Sequence, residues 1–377
     1  MTYISSLSLT SFRNYTATSI DGLDNGFVLL IGENGAGKTN CLEALSLLSP
    51  GRGLRNASVP DCQSQSNQTP WAISAALVDT DQDESRIGVG RNPQKMDKKI
   101  IRYNGDPVKS QNQLGEILRA VWLTPQMDGL FLSGASDRRR FFDRLVATFD
   151  AAHTGRMTRY EKAMRERLSL LRQAAEKKQA ADPAWLSALE TVMAETGMAI
   201  AAARIETLTI LQHHIATDDA GIFPMATIRL NGDIEPLLGN KSALEIEDIF
   251  KQKLSQTRSS DGMMGRTRYG AHRMDMDVTH TQKSSPASQC STGEQKGLLT
   301  TIILAHARMV NAKFGAPPLL LFDEITAHFD ANKRDALYSI LSDLGGQVWL
   351  TGQDINAFQS IEKKQAVTIE NNQFQPL

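Results

Sequence analysis

The chain has 377 residues, 41% of them hydrophobic and 22% charged. That is the composition of a soluble globular protein with room for two or three domains, or for one large domain carrying an insertion. Its 41 basic and 42 acidic residues leave a formal net charge of −1, so any polyanion site must come from local patches or backbone dipoles. No apolar run approaches the roughly 18 residues of a membrane span, and the N-terminus lacks a basic region followed by an apolar one, so neither a transmembrane helix nor a signal peptide is expected. The isolated cysteines Cys41, Cys62 and Cys290 argue against a disulfide framework or zinc site and fit a reducing cytoplasm.

Phe27 to Ile31 is an apolar run that predicts a buried strand. Gly32-Glu33-Asn34-Gly35-Ala36-Gly37-Lys38-Thr39 follows and fits G-x-x-x-x-G-K-[ST]; Asn40 to Leu48 then reads as a helix. Strand, Gly-rich loop and helix form the context that this phosphate-binding motif requires. The glycines let backbone N–H groups turn toward a phosphate, and the helix N-terminus adds positive potential. Lys38 would reach the β- and γ-phosphates of a nucleoside triphosphate, and Thr39 would offer its hydroxyl to Mg²⁺.

Pro60 to Pro70 reads as a polar loop. "WAISAALVD", "SRIGVG" and "KKIIRYNGDPV" read as antiparallel strands, the last with a turn at Asn104 to Asp106, and Val121 to Leu123 as another strand before Pro125-Gln126. Asp137 is a plausible N-cap for a helix to Phe149, and two antiparallel helices joined near Asp182-Pro183 follow. Their Arg/Lys/Glu alternation is expected to be mostly a solvated face. The adjacent His213 and His214 point to different helix faces and are read as surface, not metal ligands.

Two basic clusters are candidate DNA contacts: Arg138, Arg139 and Arg140; and Arg258, Arg266, Arg268, His272 and Arg273, where Gly262, Gly265 and Gly270 predict a flexible loop. Without a stacking platform or recognition helix, the expected binding is not sequence-specific and weakens with salt. "CSTGEQKG" then contains Ser291-Thr292-Gly293-Glu294, an S-x-x-E capping box that opens a helix. Pro317-Pro318 precede the apolar run Leu319 to Phe322, which predicts a central parallel strand ending in Asp323-Glu324. Carboxylates at such an end face the ligand crevice. Asp323 would partner Mg²⁺ opposite Thr39, and Glu324 would orient or deprotonate the water that attacks the γ-phosphate.

A G-x-N-G-x-G-K-T loop, a distant Ser-Gly segment, a strand ending in Asp-Glu and a further Asp at 330 resemble the ATP-binding cassette heads of SMC-like DNA-repair ATPases. Within them the chain resembles the RecF family, on "LSLTSFRNY", "GENGAGKTNCLEALSLLSPGRGLRNA" with Arg52 and Arg55, "TPQMDGLFLSGASDRRRFFDRLV" and "GAHRMDM", in family order. The fold this implies is α/β: mixed sheets around a P-loop core, with an inserted helical arm. The implied divisions are 1–136 and 265–377 for the head and 137–264 for the arm. The resemblance also implies that Ser291 and Gly293 contact the nucleotide of a second subunit, that Gln126 touches Mg²⁺ and the attacking water, that Arg13 joins the nucleotide site, and that Asp330 holds the D-loop position.

Two departures stand out. "ITAHFD" replaces the usual ending of the segment after Asp323-Glu324, and "VWLTGQD" has no histidine at the γ-phosphate switch, leaving Thr351 or Gln353 as substitutes and implying slow hydrolysis. The implied function is ATP-driven head-to-tail dimerisation that clamps single-stranded, double-stranded or gapped DNA. RecR and RecO are the implied partners, with roles in recombinational repair, replication and SOS induction, and the implied location is the cytoplasm at the nucleoid. Alternatives are a nucleotide-gated scaffold with little turnover, a transporter ATPase subunit, which the long spacing, the arm and the missing histidine disfavour, and an SMC tether, which lacks its heptads.

Overall fold

The computed structural model describes residues 2–65, 69–108, 111–217, 221–325 and 329–376. The elements begin with β1 (Tyr3–Phe12), β2 (Tyr15–Ile20), β3 (Phe27–Ile31), α1 (Lys38–Leu47), β4 (Ala72–Val78), β5 (Glu84–Arg91), β6 (Lys99–Tyr103), β7 (Asp106–Pro107), α2 (Gln111–Ile117) and β8 (Ala120–Leu123). The middle of the chain forms α3 (Ala135–Phe149), α4 (His153–Lys177), α5 (Pro183–Ala216), β9 (Ala226–Asn231), α6 (Ala243–Gln256), α7 (Arg258–Met264), β10 (Asp275–His280) and β11 (Ser285–Pro286). The end forms α8 (Thr292–Phe314), β12 (Leu319–Phe322), α9 (Ala331–Leu344), β13 (Val348–Gly352), β14 (Lys364–Glu370) and β15 (Gln373–Pro376). Two compact units result: residues 1–129, 214–225 and 290–377, and residues 130–213 and 226–289.

The first unit holds two six-stranded sheets. One, ordered β15-β14-β3-β13-β12-β8, is parallel except for the edge strand β15. Its strands β3, β13, β12 and β8 are buried at every residue, as continuous apolar runs such as FVLLI and LLLF require. The other, β2-β1-β4-β5-β6-β7, is antiparallel. Its turn between β6 and β7 uses Asn104 and Gly105 at positive φ, the geometry that a two-residue hairpin needs. Leu7, Leu9 and Ile73 of this sheet, and Trp71 just before β4, share one core with Leu42 and Leu45 of α1 and with Trp122, Leu321 and Trp349 of the parallel sheet.

The second unit joins its helices to the antiparallel sheet β11-β10-β9. Tyr160, Met193, Ile200, Phe250 and Leu254 form its core. The solvated-face expectation fails at three positions, because Arg167, Glu190 and Arg204 are buried. Each is there because it is paired. Arg167 bonds Glu190 (2.9 Å), Asp261 (2.8 Å) and the carbonyl of Leu254 (2.6 Å). Arg204 bonds Asp143 (2.8 and 2.9 Å), Glu235 (3.0 Å) and the carbonyl of Ala271 (2.7 Å). A buried charge survives only with such partners.

The sequence also misplaced a loop and a cap. Residues 258–264 form α7, and a Cβ on Gly262 would lie 2.9 Å from the carbonyl of Leu171, so this glycine serves close helix packing rather than flexibility. Gly265 caps α7 at φ 64°. Gly134 holds the N-cap of α3, and Asp137 lies in its first turn. Residues 265–289 pack with the second unit, because β10 pairs with β9 along its full length; the return to the first unit comes at Cys290 instead of 265.

Candidate nucleotide site

Four loops leave the carboxyl ends of adjacent parallel strands in the first unit. They follow β3, β13, β12 and β8, and register pairs Ile31 with Gly352, Leu350 with Phe322, and Phe322 with Leu123. This is the crevice where such sheets bind ligands.

The loop after β3 runs from Gly32 to Gly37. Gly35 and Gly37 have φ of 85° and 114°, closed to a side-chain-bearing residue without strain. A Cβ on Gly37 would stand 2.6 Å from the Asn14 amide nitrogen and 2.8 Å from the Tyr15 hydroxyl. Those two residues brace the loop from behind. Tyr15 donates to the carbonyl of Gly37 (3.0 Å), and Asn14 donates to that of Ala36 (3.2 Å) while accepting from Asn40 (2.6 Å). Asn14 also bonds Asn372 in the turn between β14 and β15. Glu33, Asn34 and Gly35 are exposed. Lys38 is buried, its ammonium donating to the carbonyls of Gly32 (2.6 Å) and Glu33 (2.9 Å). Burial lowers its pKa, against the opposing pull of Glu324 and Asp323.

Across the crevice, Asp323 is 5% exposed and both its carboxylate oxygens are used. One accepts from the hydroxyl of Thr39 (2.8 Å), the other from that of Thr351 (2.9 Å). Thr351 in turn accepts the backbone N–H of Glu324 (2.8 Å), whose φ of 49° is left-handed. The Thr351 hydroxyl thus holds both the Asp323 carboxylate and the backbone of Glu324. Gln353, two residues further, donates to Asn34 of the phosphate loop (2.9 Å). Gln126 is exposed in the short turn Pro125–Met127 after β8.

The residues fit ATP with Mg²⁺. The glycine loop is open on its outer side, Lys38 lies inside it, and a hydroxyl and a carboxylate meet at Thr39 and Asp323, the donor set of a hard cation beside phosphate. Ser291 is the N-cap of α8, and both halves of its capping box are present. Ser291 and Gly293 are exposed, and a Cβ on Gly293 would meet nothing within 4 Å. Asp330 caps α9, accepting from the N–H of Lys333 (3.0 Å), a bond that lowers its pKa. Residues 326–328 of the "ITAHFD" departure lie outside the described residues.

Arg13 is held against α1. Its guanidinium forks onto the buried carboxylate of Glu43 in α1 (2.9 and 2.6 Å) and reaches the carbonyl of Asp61 (2.6 Å). Burial opposes its charge, but Glu43 raises its pKa. Arg55 meets the same carboxylate (3.1 Å).

In the second unit, Arg138 forks onto Asp275 (2.8 and 2.7 Å), Arg139 donates to the carbonyl of Met274 (2.9 Å), and Arg140 stays exposed beside Asp137. Hydrogen bonds from Arg138 hold the Asp275 carboxyl below its usual range, and burial lowers the pKa of Arg139. Arg266, Arg268 and Arg273 are exposed, Arg268 bonding Ser260 (2.6 Å) and Arg273 lying 3.6 Å from Asp233. Arg258 is tied to Glu190 (2.9 Å).

Fold and site together define a P-loop ATPase head of the SMC-like class. The sequence model described as "RecF/RecN/SMC N terminal domain" matches residues 3–375, and the chain belongs to that family. Among its relatives is the "DNA replication and repair protein RecF" of Mesorhizobium japonicum, 45% identical over 378 residues, covering 100% of this chain and 98% of that one. A solved structure of "the recombination mediator protein RecF-ATP in RecFOR pathway" matches with TM-score 0.86 at 21% identity, over 100% of this chain and 98% of that one. An Smc head domain from Pyrococcus furiosus matches at TM-score 0.54 and 16% identity, over 100% and 96% of the two chains. Among the described residues, no helix is long and apolar enough to cross a membrane.

Proposed function

We propose that the chain is an ATP-dependent DNA-binding ATPase of DNA repair and replication, working as a RecF. One observation carries this reading: Thr39, Asp323, Thr351 and Glu324 form a single hydrogen-bonded set beside the phosphate loop. Gly32 to Lys38 would hold the triphosphate, and Thr39, Asp323 and Gln126 would hold Mg²⁺, which supplies positive charge to the β- and γ-phosphates. Glu324 orients the attacking water. Ser291 and Gly293, exposed at a helix N-terminus, are suited to the γ-phosphate held by a second copy. A nucleotide touched by both subunits favours the dimer, and hydrolysis then releases it.

The dimer would clamp single-stranded, double-stranded or gapped DNA without reading sequence, with Arg140, Arg266, Arg268 and Arg273 the exposed arginines of the candidate set. Arg138 and Arg139 support that surface from within, given their bonds to Asp275 and Met274. In this reading the chain acts in recombinase loading at gaps and in SOS induction, with RecO and RecR as partners, in the cytoplasm at the nucleoid; a relative named for DNA replication and repair, and a solved RecF named as a recombination mediator of the RecFOR pathway, support the repair role. Steady-state ATP turnover, measured for wild type and Glu324→Gln with and without DNA, tests this; equal rates would remove Glu324 from catalysis. The second reading is a nucleotide-gated scaffold with little turnover. It is favoured by the switch position itself, where Thr351 is already committed to Asp323 and Glu324.

A further inference from the structure

Lys296 lies in the second turn of α8, five residues after the cap Ser291, and is 2% exposed. Among the described residues its ammonium has no partner within hydrogen-bond distance. Among the described residues its ion pair is to a carboxylate oxygen of Asp128 at 3.7 Å, too long for a hydrogen bond. The other oxygen of Asp128 is also buried without a partner among the described residues. Burial lowers the Lys296 pKa, opposed by Asp128 and then by Glu324, so the ammonium lies within electrostatic reach of the acidic residue beside the phosphate crevice. Asp128 closes the turn that carries Gln126, donating its N–H to the carbonyl of Pro125 (3.1 Å).

An ammonium offers three donors, and this one uses none of them on the described residues. A buried ion pair with unused hydrogen-bonding capacity on both sides is costly, and an apolar pair of like volume would be cheaper. Packing alone therefore does not explain it. The turn of α8 around Lys296 is pinned on its other side, where a Cβ on Gly297 would lie 2.7 Å from Pro224 and Thr301 donates to the carbonyl of Pro224 (2.9 Å). A relative shift of about 0.8 Å would convert the loose pair into a charge-assisted hydrogen bond.

We propose that Lys296 is a positioning residue that couples the start of α8 to the hydrolysis site of its own head, through Asp128 and the turn bearing Gln126. The inference rests on the proposed function, in which the start of α8 meets a partner's nucleotide. Movement of that helix end then reaches Gln126 and the field at Glu324 through a single ammonium.

The test compares wild type, Lys296→Met, Lys296→Arg and the double variant Lys296→Met/Asp128→Asn. Hydrogen exchange without nucleotide reads the amides of Met127 and Asp128, which bond Thr124 and Pro125. Sedimentation with ATP reads the dimer, and single-turnover hydrolysis reads the chemistry. Lys296→Met should exchange those amides about tenfold faster, keep its ATP affinity within about twofold and hydrolyse about tenfold more slowly in the dimer, with Lys296→Arg recovering most of the rate. The double variant leaves no unpaired buried charge, regains stability and stays slow. Unchanged amide exchange in Lys296→Met, or wild-type turnover in the double variant, would overturn the coupling. A wild type that neither dimerises nor turns over ATP would instead overturn the clamp reading, and this inference with it.

Discussion

Thr351→Val removes one hydroxyl and keeps the volume of the side chain. That hydroxyl donates to Asp323 (2.9 Å) and accepts the N–H of Glu324 (2.8 Å), in a residue 1% exposed. A hydrogen bond to a buried carboxylate contributes about 1.5–3 kcal/mol, and a stranded buried N–H costs about 1–3 kcal/mol. Valine should therefore destabilise the protein by about 3 kcal/mol, since Asp323 keeps Thr39. Glu324 would also lose the anchor that holds its backbone at φ 49°, so turnover should fall about tenfold or more while ATP still binds through Lys38 and the loop amides. Urea unfolding followed by circular dichroism, paired with single-turnover hydrolysis, measures both effects. Thr351→Ser restores the hydroxyl and should stay close to wild type. If Thr351→Val lay within about 0.5 kcal/mol of wild type and hydrolysed at the same rate, the hydroxyl would not organise the acidic pair and the reasoning would fail.

Gly37→Ala forces a side chain into φ 114° against Asn14 and Tyr15, so a fluorescent-ATP titration should show affinity weakened about tenfold or more. Arg167→Met leaves Glu190 and Asp261 buried without their shared cation and should cost about 3–5 kcal/mol in urea unfolding. The Asp275 carboxyl is held low by Arg138, so it contributes stability above the unfolded value near pH ~4 and loses that contribution as pH falls through the lower folded value. Asp275→Asn should therefore lose less stability than wild type on acidification below about pH 4, read by thermal melts across that range.

Local pattern carried much of the fold. An apolar strand, a glycine loop and a helix were legible at 27–48 because each obeys a short-range rule, and the fold has β3, the loop and α1 there. The Ser291 capping box was legible for the same reason, its partners being three residues apart. So was the break between α4 and α5 at Asp182-Pro183, although the buried Arg167 and Arg204 between their apolar positions were not. Their partners lie on other elements, and a charged residue in a helix looks the same whether its counter-ion is solvent or Asp261.

Arg13 shows the same limit. Nothing near residue 13 announces that Glu43, on α1, claims its guanidinium. The backing of the loop by Asn14 and Tyr15 was missed because their contacts to Ala36 and Gly37 depend on the pairing of distant segments. Thr351 was named as a substitute for a switch histidine, but its two-way bonding requires β12 and β13 to be neighbours. The glycines at 262 and 265 read as loop because close packing and helix capping call for the same residue that flexibility does.

Sedimentation velocity in Mg²⁺ and ATP, on wild type, Glu324→Gln and Ser291→Arg, tests most directly whether nucleotide joins two heads through the start of α8. Wild type and Glu324→Gln should shift to dimer only with ATP, the latter more persistently, while Ser291→Arg binds ATP and stays monomeric. A wild type that remains monomeric with saturating ATP, or a Ser291→Arg variant that dimerises as wild type does, would contradict the account.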